Sequence, residues 1–292
     1  MGKAIETVGI LSPGDMGHSV GQVLGAHGLR VIACLQGRSE RTRALAVEAQ
    51  IEAVPTYPAL VQEADLILSI LVPAQAMQAA TVVAQAISET GAEVVYADCN
   101  AIAPQTVRQI GTVITKAGRR FVDASIVGGP PRGDAGPRVY ASGPHAEALE
   151  ALRPFGLNVI VLGEQIGQAS AIKMCYAALT KGLTALCTEL LTAAQVLGVS
   201  EALAQEFQRS QPTQYARMQR LPGMPIKSRR FVGEMEEIAK TFEAVGLTPR
   251  MLAGAADMYR LVGRTHLADR TPEDPTPLSS LDEMLETLVD AL

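Results

Sequence analysis

Short β-branched runs alternate with alanine-rich amphipathic stretches through the first 163 residues, and after Gly163 the alternation stops. Thr7–Leu11, Val31–Leu35, Leu66–Leu71, Val94–Ala97 and Phe121–Ala124 each have the length and side-chain type of a buried strand. Arg41–Gln50, Ala74–Ser88 and Pro104–Ala117 lie between them with helical periodicity. Strand and helix taking turns in this way argue for βαβ units and a parallel sheet covered on both faces. Two further strand-like runs, Arg138–Ser142 and Asn158–Leu162, flank a short helix near His145–Leu152.

From Gly167 onward only helical periodicity remains. Gln165–Gly198 is a candidate helix spanning about 45–50 Å at roughly 1.5 Å per residue, and its only charged residues are Lys173, Lys181 and Glu189. A helix so apolar around its circumference cannot face water. It must be covered by other helices or by a second subunit, so a homodimer through the C-terminal helices is expected. Further helices are expected at Glu201–Gln208, Arg229–Val245, Arg250–Gly263 and Leu278–Ala291, with the proline-rich Thr271–Pro277 as a linker before the last.

Several function classes are disfavoured. The formal net charge is −5, without the clustered Lys/Arg that a nucleic-acid footprint needs. The small basic groups at Arg41–Arg43, Arg119–Arg120 and Lys227–Arg230 read as solvated surface or small-anion contacts. No uncharged apolar stretch is long enough to span a bilayer, and no apolar leader follows Lys3, so the cytoplasm is the expected compartment. His18, His27, His145 and His266 show no metal-ligand spacing, so no metal site is expected. Cys34, Cys99, Cys175 and Cys187 form no C-x-x-C pair and are expected to be reduced, buried small hydrophobes.

The first strand runs into Ser12-Pro13-Gly14-Asp15-Met16-Gly17 and then a helix. A dinucleotide turn reads G-x-G-x-x-G, so that a pyrophosphate can approach backbone N–H groups at the helix N-terminus. Gly14 and Gly17 fit the second and third glycines, with Ser12 at the first. The placement between strand and helix is the context that mechanism needs. The second strand ends at Gln36, where an NAD-selective site has an acid for the ribose 2′-OH, and Arg38 and Ser39 follow. A guanidinium beside a hydroxyl suits the 2′-phosphate of NADPH (NADP+). The expected cofactor contacts are Ser12, Pro13, Gly14, Asp15, Met16, Arg38, Ser39, Leu71, Val72 and Asn100. The fold class is therefore α/β: a Rossmann-type doubly wound, NADP-binding domain over residues 1–163, then an all-α substrate and dimerisation domain over 164–292.

Four segments, in order, resemble the β-hydroxyacid dehydrogenases, the family of 3-hydroxyisobutyrate and 6-phosphogluconate dehydrogenases. Gly14-Asp15-Met16-Gly17 is similar to the family's G-x-M-G turn, and Asp98-Cys99-Asn100-Ala101-Ile102-Ala103-Pro104 to its D-x-S/N-x-x-x-P run. Asp123–Gly129 resembles the D-A-P-V-S-G-G substrate loop, and Gly167–Lys173 the G-x-G-x-x-x-K run that carries the catalytic lysine. The C-terminal stretch Arg230–Ala239 with Gly246 and Gly254 resembles a branch of that family with a distinct helical domain. Departures are Ala169 for the second glycine of the lysine run, Ala177 for the asparagine four residues after the lysine, and Ser125 and Val127 for proline and serine in the loop.

The resemblance implies a soluble dehydrogenase or reductase that interconverts a hydroxy acid, or related alcohol, and its carbonyl form by hydride transfer. Lys173 would be the general acid and base. Ser125, Val127, Gly128 and Gly129, with Tyr176 and Ala177 one turn beyond the lysine, would line the substrate site. Two other readings use the same scaffold. An imine reductase would place Asp or Tyr at the lysine position, and a non-catalytic NADPH-binding protein would bind nucleotide without turnover.

Overall fold

The computed structural model describes residues 4–130 and 136–292. The chain divides into two compact units, Met1–Met174 and Cys175–Leu292.

In the first unit, β1 (Thr7–Ile10), α1 (Gly17–Ala26), β2 (Arg30–Cys34), α2 (Glu40–Glu48) and β3 (Glu52–Val54) are followed by α3 (Tyr57–Glu63), β4 (Leu66–Ser69) and α4 (Pro73–Thr90). Then come β5 (Val95–Asp98), α5 (Pro104–Lys116), β6 (Phe121–Val127), β7 (Arg138–Ser142), α6 (Glu147–Glu150) and β8 (Asn158–Gly163). The eight strands form one sheet in the order β3-β2-β1-β4-β5-β6-β7-β8. All neighbours are parallel except β6 and β7, which are antiparallel. The α/β class and the doubly wound sheet are as the sequence implies. The turn to antiparallel after β6 departs from an all-parallel reading.

Alternating side chains explain why both faces are covered. Val8, Ile10, Val31, Ala33, Leu66 and Leu68 enter one core with Val20 and Leu24 of α1 and Ala46 of α2. Ile32, Cys34, Ile67 and Tyr96 enter the other, with Leu60 of α3, Val83 of α4 and Ile110 of α5. Two elements, one strand and one helix, went unread in the sequence. β3 has only three residues at the sheet edge, and α3 has seven, with Pro58 in its first turn and Thr56 as its cap. Elements so short carry too little periodicity to be seen.

The lysine helix, α7 (Gln168–Val196), begins in the first unit and continues into the second. It starts after Gly167, whose φ of +109° ends the preceding loop in a conformation that only glycine adopts easily. Thr180, Thr184, Thr188 and Thr192 each donate a side-chain hydrogen bond to the carbonyl one turn back. The helix can therefore bury Thr188 and Thr192 without help from a neighbour.

In the second unit α7 is followed by α8 (Ser200–Ser210), α9 (Pro212–Met218), α10 (Pro225–Glu243), α11 (Arg250–Gly263) and α12 (Leu281–Asp290). α9 was not anticipated, and α10 starts four residues before the expected Arg229 because Pro225 suits a first helical turn. Phe231 of α10 meets Tyr259 of α11 edge-on at 5.2 Å, and the Tyr259 hydroxyl donates to Lys181 O of α7 at 2.8 Å. Lys181 pairs with the buried Glu234 of α10. α12 opens on a capping box made by Ser280 and Glu283.

One cysteine expectation is corrected. Cys34, Cys99 and Cys187 are buried and free, but Cys175 is exposed, because it falls on a side of α7 that no described residue covers. Among the described residues no helix is long and apolar enough to cross a membrane, and no cluster of His, Cys, Asp or Glu could hold a metal ion.

Candidate active site

β1, β2, β4, β5 and β6 run parallel, so their C-terminal ends share one edge of the sheet. The strand order reverses at β1, between β2 and β4. A crevice opens at such a switch point, outside the carboxyl ends of the strands. The turn 11–16, Arg38, Leu71, Val72 and Asn100 all follow strands ending on that edge.

The turn is shaped for close approach. A Cβ on Gly17 would sit 2.1 Å from Ser12 O, so only glycine lets the start of α1 pack against the turn. A Cβ on Gly14 would meet nothing within 4 Å, so that side of the turn is open. No side chain caps the N-terminus of α1. Its first N–H groups, with the positive end of the helix dipole, suit an anion. Asp15 beside the turn is ion-paired with Arg41, which offsets the one acid that would repel a phosphate. The arrangement fits a dinucleotide.

Arg38 lies across the end of β1. Its Nη2 donates to Leu11 O at 2.8 Å and to the Tyr57 hydroxyl at 3.3 Å, while its Nε is buried with no hydrogen-bond partner. Ser39 caps α2, accepting from Thr42 N at 3.2 Å. Leu71 is half-buried, and Val72 is exposed immediately before α4. Asn100 is buried, and its side chain is bonded within the protein. Nδ2 donates to Ser69 Oγ and Asp98 Oδ2, both at 3.0 Å, and Oδ1 accepts from Leu71 N at 2.5 Å. Asn100 thus ties the end of β4 to the end of β5, and sets the position of Leu71 rather than offering a free amide.

Asp98 and Asp123 are side-by-side partners on β5 and β6, both fully buried. Asp123 takes five hydrogen bonds. Its Oδ2 accepts from Ser142 Oγ at 2.8 Å and from the N–H groups of Gly167, Ala169 and Ser170 at 2.7, 3.1 and 3.2 Å. Its Oδ1 accepts from Ser170 Oγ at 2.7 Å. A carboxylate here caps the start of α7 from below and complements its dipole. Burial pushes the Asp123 carboxyl upward, and the bonds from Ser170 and Ser142 pull it back. Three residues further along β6, Ile126 O accepts from Lys173 Nζ at 2.9 Å. One strand therefore holds both the backbone start of the lysine helix and the lysine's ammonium.

The expected substrate loop is corrected in part. β6 extends to Val127, so Ser125 and Val127 are buried strand residues, and Ser125 Oγ has no hydrogen-bond partner. The β-branched Ile126 and Val127 and the antiparallel pairing to β7 carry the strand past Ala124. Only Gly128, with φ of +126°, and Gly129 are exposed there. Pro131 lies outside the described residues. Tyr176 and Ala177 occupy the next turn of α7, Tyr176 half exposed and Ala177 buried. Sequence reasoning missed the roles of Asp123, Ser142 and Ser170. Asp123 and Ser170 stand inside quoted motifs, but nothing local shows that one caps the helix carrying the other.

Residues 7–161 match the family model described as the NAD binding domain of 6-phosphogluconate dehydrogenase, and residues 194–262 match a domain of unknown function, DUF1932. A solved conserved protein of unknown function, described as structurally similar to 3-hydroxyacid dehydrogenases, is 30% identical with a TM-score of 0.64, covering 88% of this chain and 97% of its own. The 3-hydroxyisobutyrate dehydrogenase of Mycobacterium tuberculosis, solved with L-serine, has a TM-score of 0.69 at 18% identity, covering 97% of this chain and 99% of its own. An imine reductase from Myxococcus stipitatus, solved with NADP+, has a TM-score of 0.53 at 16% identity over 88% of this chain and 92% of its own. The last two likenesses are likenesses of fold. The fold and the turn define a dinucleotide-binding dehydrogenase or reductase. The chain belongs to the β-hydroxyacid dehydrogenase family, in a branch whose helical part carries the domain of unknown function.

Burial pushes the Asp98 carboxyl up to about 7; bonds from Asn100 and the Lys173 charge oppose this, while Asp123 adds to it. A folded-state value above the ordinary carboxylate value near 3.9 means that folding favours the protonated acid. Its contribution to stability is fully present below the unfolded-state value and is lost as pH rises towards 7. Wild-type protein should therefore lose on the order of 3 kcal/mol from this group between about pH 4 and 7. Urea unfolding across that range checks this: Asp98→Asn should flatten the slope, and an unchanged slope would refute the assignment.

Proposed function

We propose that this protein is an NADPH-dependent oxidoreductase interconverting a hydroxy acid, or related alcohol, and its carbonyl form, with Lys173 as general acid and base. Residues 1–163 serve the nucleotide and 164–292 the substrate and the dimer. The observation that carries the reading is the bond from Lys173 Nζ to Ile126 O at 2.9 Å, at the end of a strand on the same sheet edge as the phosphate turn.

A bound nicotinamide supplies or takes up the hydride. The protein's part is binding, orientation and proton transfer. An ammonium has three donors, and the bond to Ile126 O orients the group for giving a proton to a carbonyl oxygen, or taking one from an alcohol. The backbone of Gly128 and Gly129 suits a substrate carboxylate, since glycine permits close approach. Ser125 is fully buried in β6 and is not among the exposed groups of the loop. Ala177, in place of the family's amide, favours a substrate larger than a small hydroxyacid.

NADPH is favoured over NADH by Arg38, whose buried, unpartnered Nε lies beyond a strand that ends without an acid. Tyr176, Leu179, Leu183, Leu186, Leu190, Ala193 and Leu197 repeat at alternating three- and four-residue steps along α7 and just past its last residue. Four of the larger ones, Tyr176, Leu179, Leu186 and Leu197, are half or more exposed, at 50, 67, 54 and 72%. A seam of this spacing is complementary to a second copy of itself, which makes a two-fold homodimer the occupant.

Lys173→Ala should keep NADPH affinity, measured by fluorescence titration, and lose about 10²–10⁴-fold in turnover; retained turnover removes the lysine from the mechanism. The substrate panel is 2- and 3-hydroxy acids, larger aldehydes and imines, followed by NADPH absorbance. Turnover of imines alone would favour the imine reductase reading. Arg38→Ala should raise the KM for NADPH about tenfold or more, the worth of one charge-assisted contact, and leave that for NADH nearly unchanged. Equal effects would refute the 2′-phosphate contact. Leu186→Arg should convert a dimer to a monomer in sedimentation velocity; a wild-type monomer at micromolar concentration sinks the seam.

A further inference from the structure

The second unit holds a cavity of about 1010 Å³ formed by α9, the turn 219–224, the first turns of α10 and Thr184 of α7. Its volume matches that of small-molecule sites. The charged side chains lining it are Arg217, Arg220 and Lys227, all cations, and no carboxylate is among the lining residues. Leu221, Met224 and Phe231 give it an apolar wall.

Neighbouring charges are arranged differently. Lys181 and Arg230 both pair with Glu234, and both lie against the Phe231 ring, at 5.0 and 5.6 Å. That carboxylate is buried and engaged. Arg217 is fixed by a bond from Nη2 to Thr180 O at 2.8 Å, a carbonyl that leaves its charge uncompensated. Burial pushes the Cys187 thiol and the Tyr259 hydroxyl up, and the Arg217 charge opposes that rise at both. Arg220 and Lys227 form no ion pair among the described residues. Three cations converging on a concavity repel one another, and low-dielectric walls focus their field on an anion.

We propose that this cavity binds a small organic oxyanion, a carboxylate or phosphate ester carrying a compact apolar group. The guanidinium of Arg217 offers a planar fork to the oxyanion, Arg220 and Lys227 add charge at the rim, and Phe231 with Met224 packs the apolar part. The site lies within the helical unit and does not depend on Lys173 or on the identity of the reduced substrate.

Calorimetric titration at fixed ionic strength tests it with phenyl phosphate, benzoate and benzyl alcohol. Saturable binding of phenyl phosphate or benzoate is expected, and the tighter of the two assigns the oxyanion. Benzyl alcohol, with the ring and no charge, should not bind. The double variant Arg220→Gln/Lys227→Gln, at exposed positions, should melt like wild type and weaken binding about tenfold or more. Arg38→Ala should leave binding unchanged. Saturable binding of neither oxyanion, equal binding of benzyl alcohol, or undiminished binding by the double variant would each overturn the proposal. Loss in Arg38→Ala would do the same, by assigning the anion to the nucleotide turn.

Discussion

The buried carboxylate of Asp123 is the constraint on which the candidate site depends. A lone ion in a sheet interior costs several kcal/mol, and it survives only where donors surround it. Here those donors are the first N–H groups and a hydroxyl of α7, together with Ser142 of the neighbouring strand. The demand runs both ways, since the helix start needs an acceptor and the acid needs donors. Satisfying both fixes where α7 begins, and the lysine one turn further on follows from that.

The same economy governs the neighbouring strands. Asn100 bonds Asp98, Ser69 and Leu71 with one amide, so β4 and β5 end in register. Arg38 reaches from the loop after β2 to the last carbonyl before the turn, and Arg41 from α2 to Asp15. Polar side chains stitch the strand ends into one rigid edge, while the apolar residues beneath decide only that a sheet forms. A catalytic edge built on strand ends is held more tightly than one built on long loops.

Much of this was legible in the sequence, for identifiable reasons. Val8, Ile32 and Ile67 sit in β-branched runs between alanine-rich helices, and that alternation is a local signal. Gly14 and Gly17 stand in a turn whose context gave its meaning. The end of β6 was misread as Ala124, because a family loop pattern was laid over residues whose own β-propensity carries the strand to Val127. Cys175 was misread because an apolar neighbourhood in sequence does not say which side of a helix is covered. The capping of α7 by Asp123 joins residues 44 to 47 positions apart, and no window of sequence contains both partners. Of the cavity's three cations only Lys227 was noted, in a run reaching Arg230. Arg217 and Arg220 come from an unforeseen helix and the turn that follows it.

The ladder of threonines along α7 has one further consequence. Each hydroxyl spends its proton on its own helix, so the stripe offers adjoining surfaces methyl groups and acceptor oxygens, and Thr184 is in hydrogen-bond contact with Tyr259 of α11. At Thr188 and Thr192 a swap of hydroxyl for methyl removes only a bond inside the helix, so partners packed there are matched by contour. Evolution can thus remodel what lies against this side of the rod, one apolar side chain at a time, without first dismantling a network.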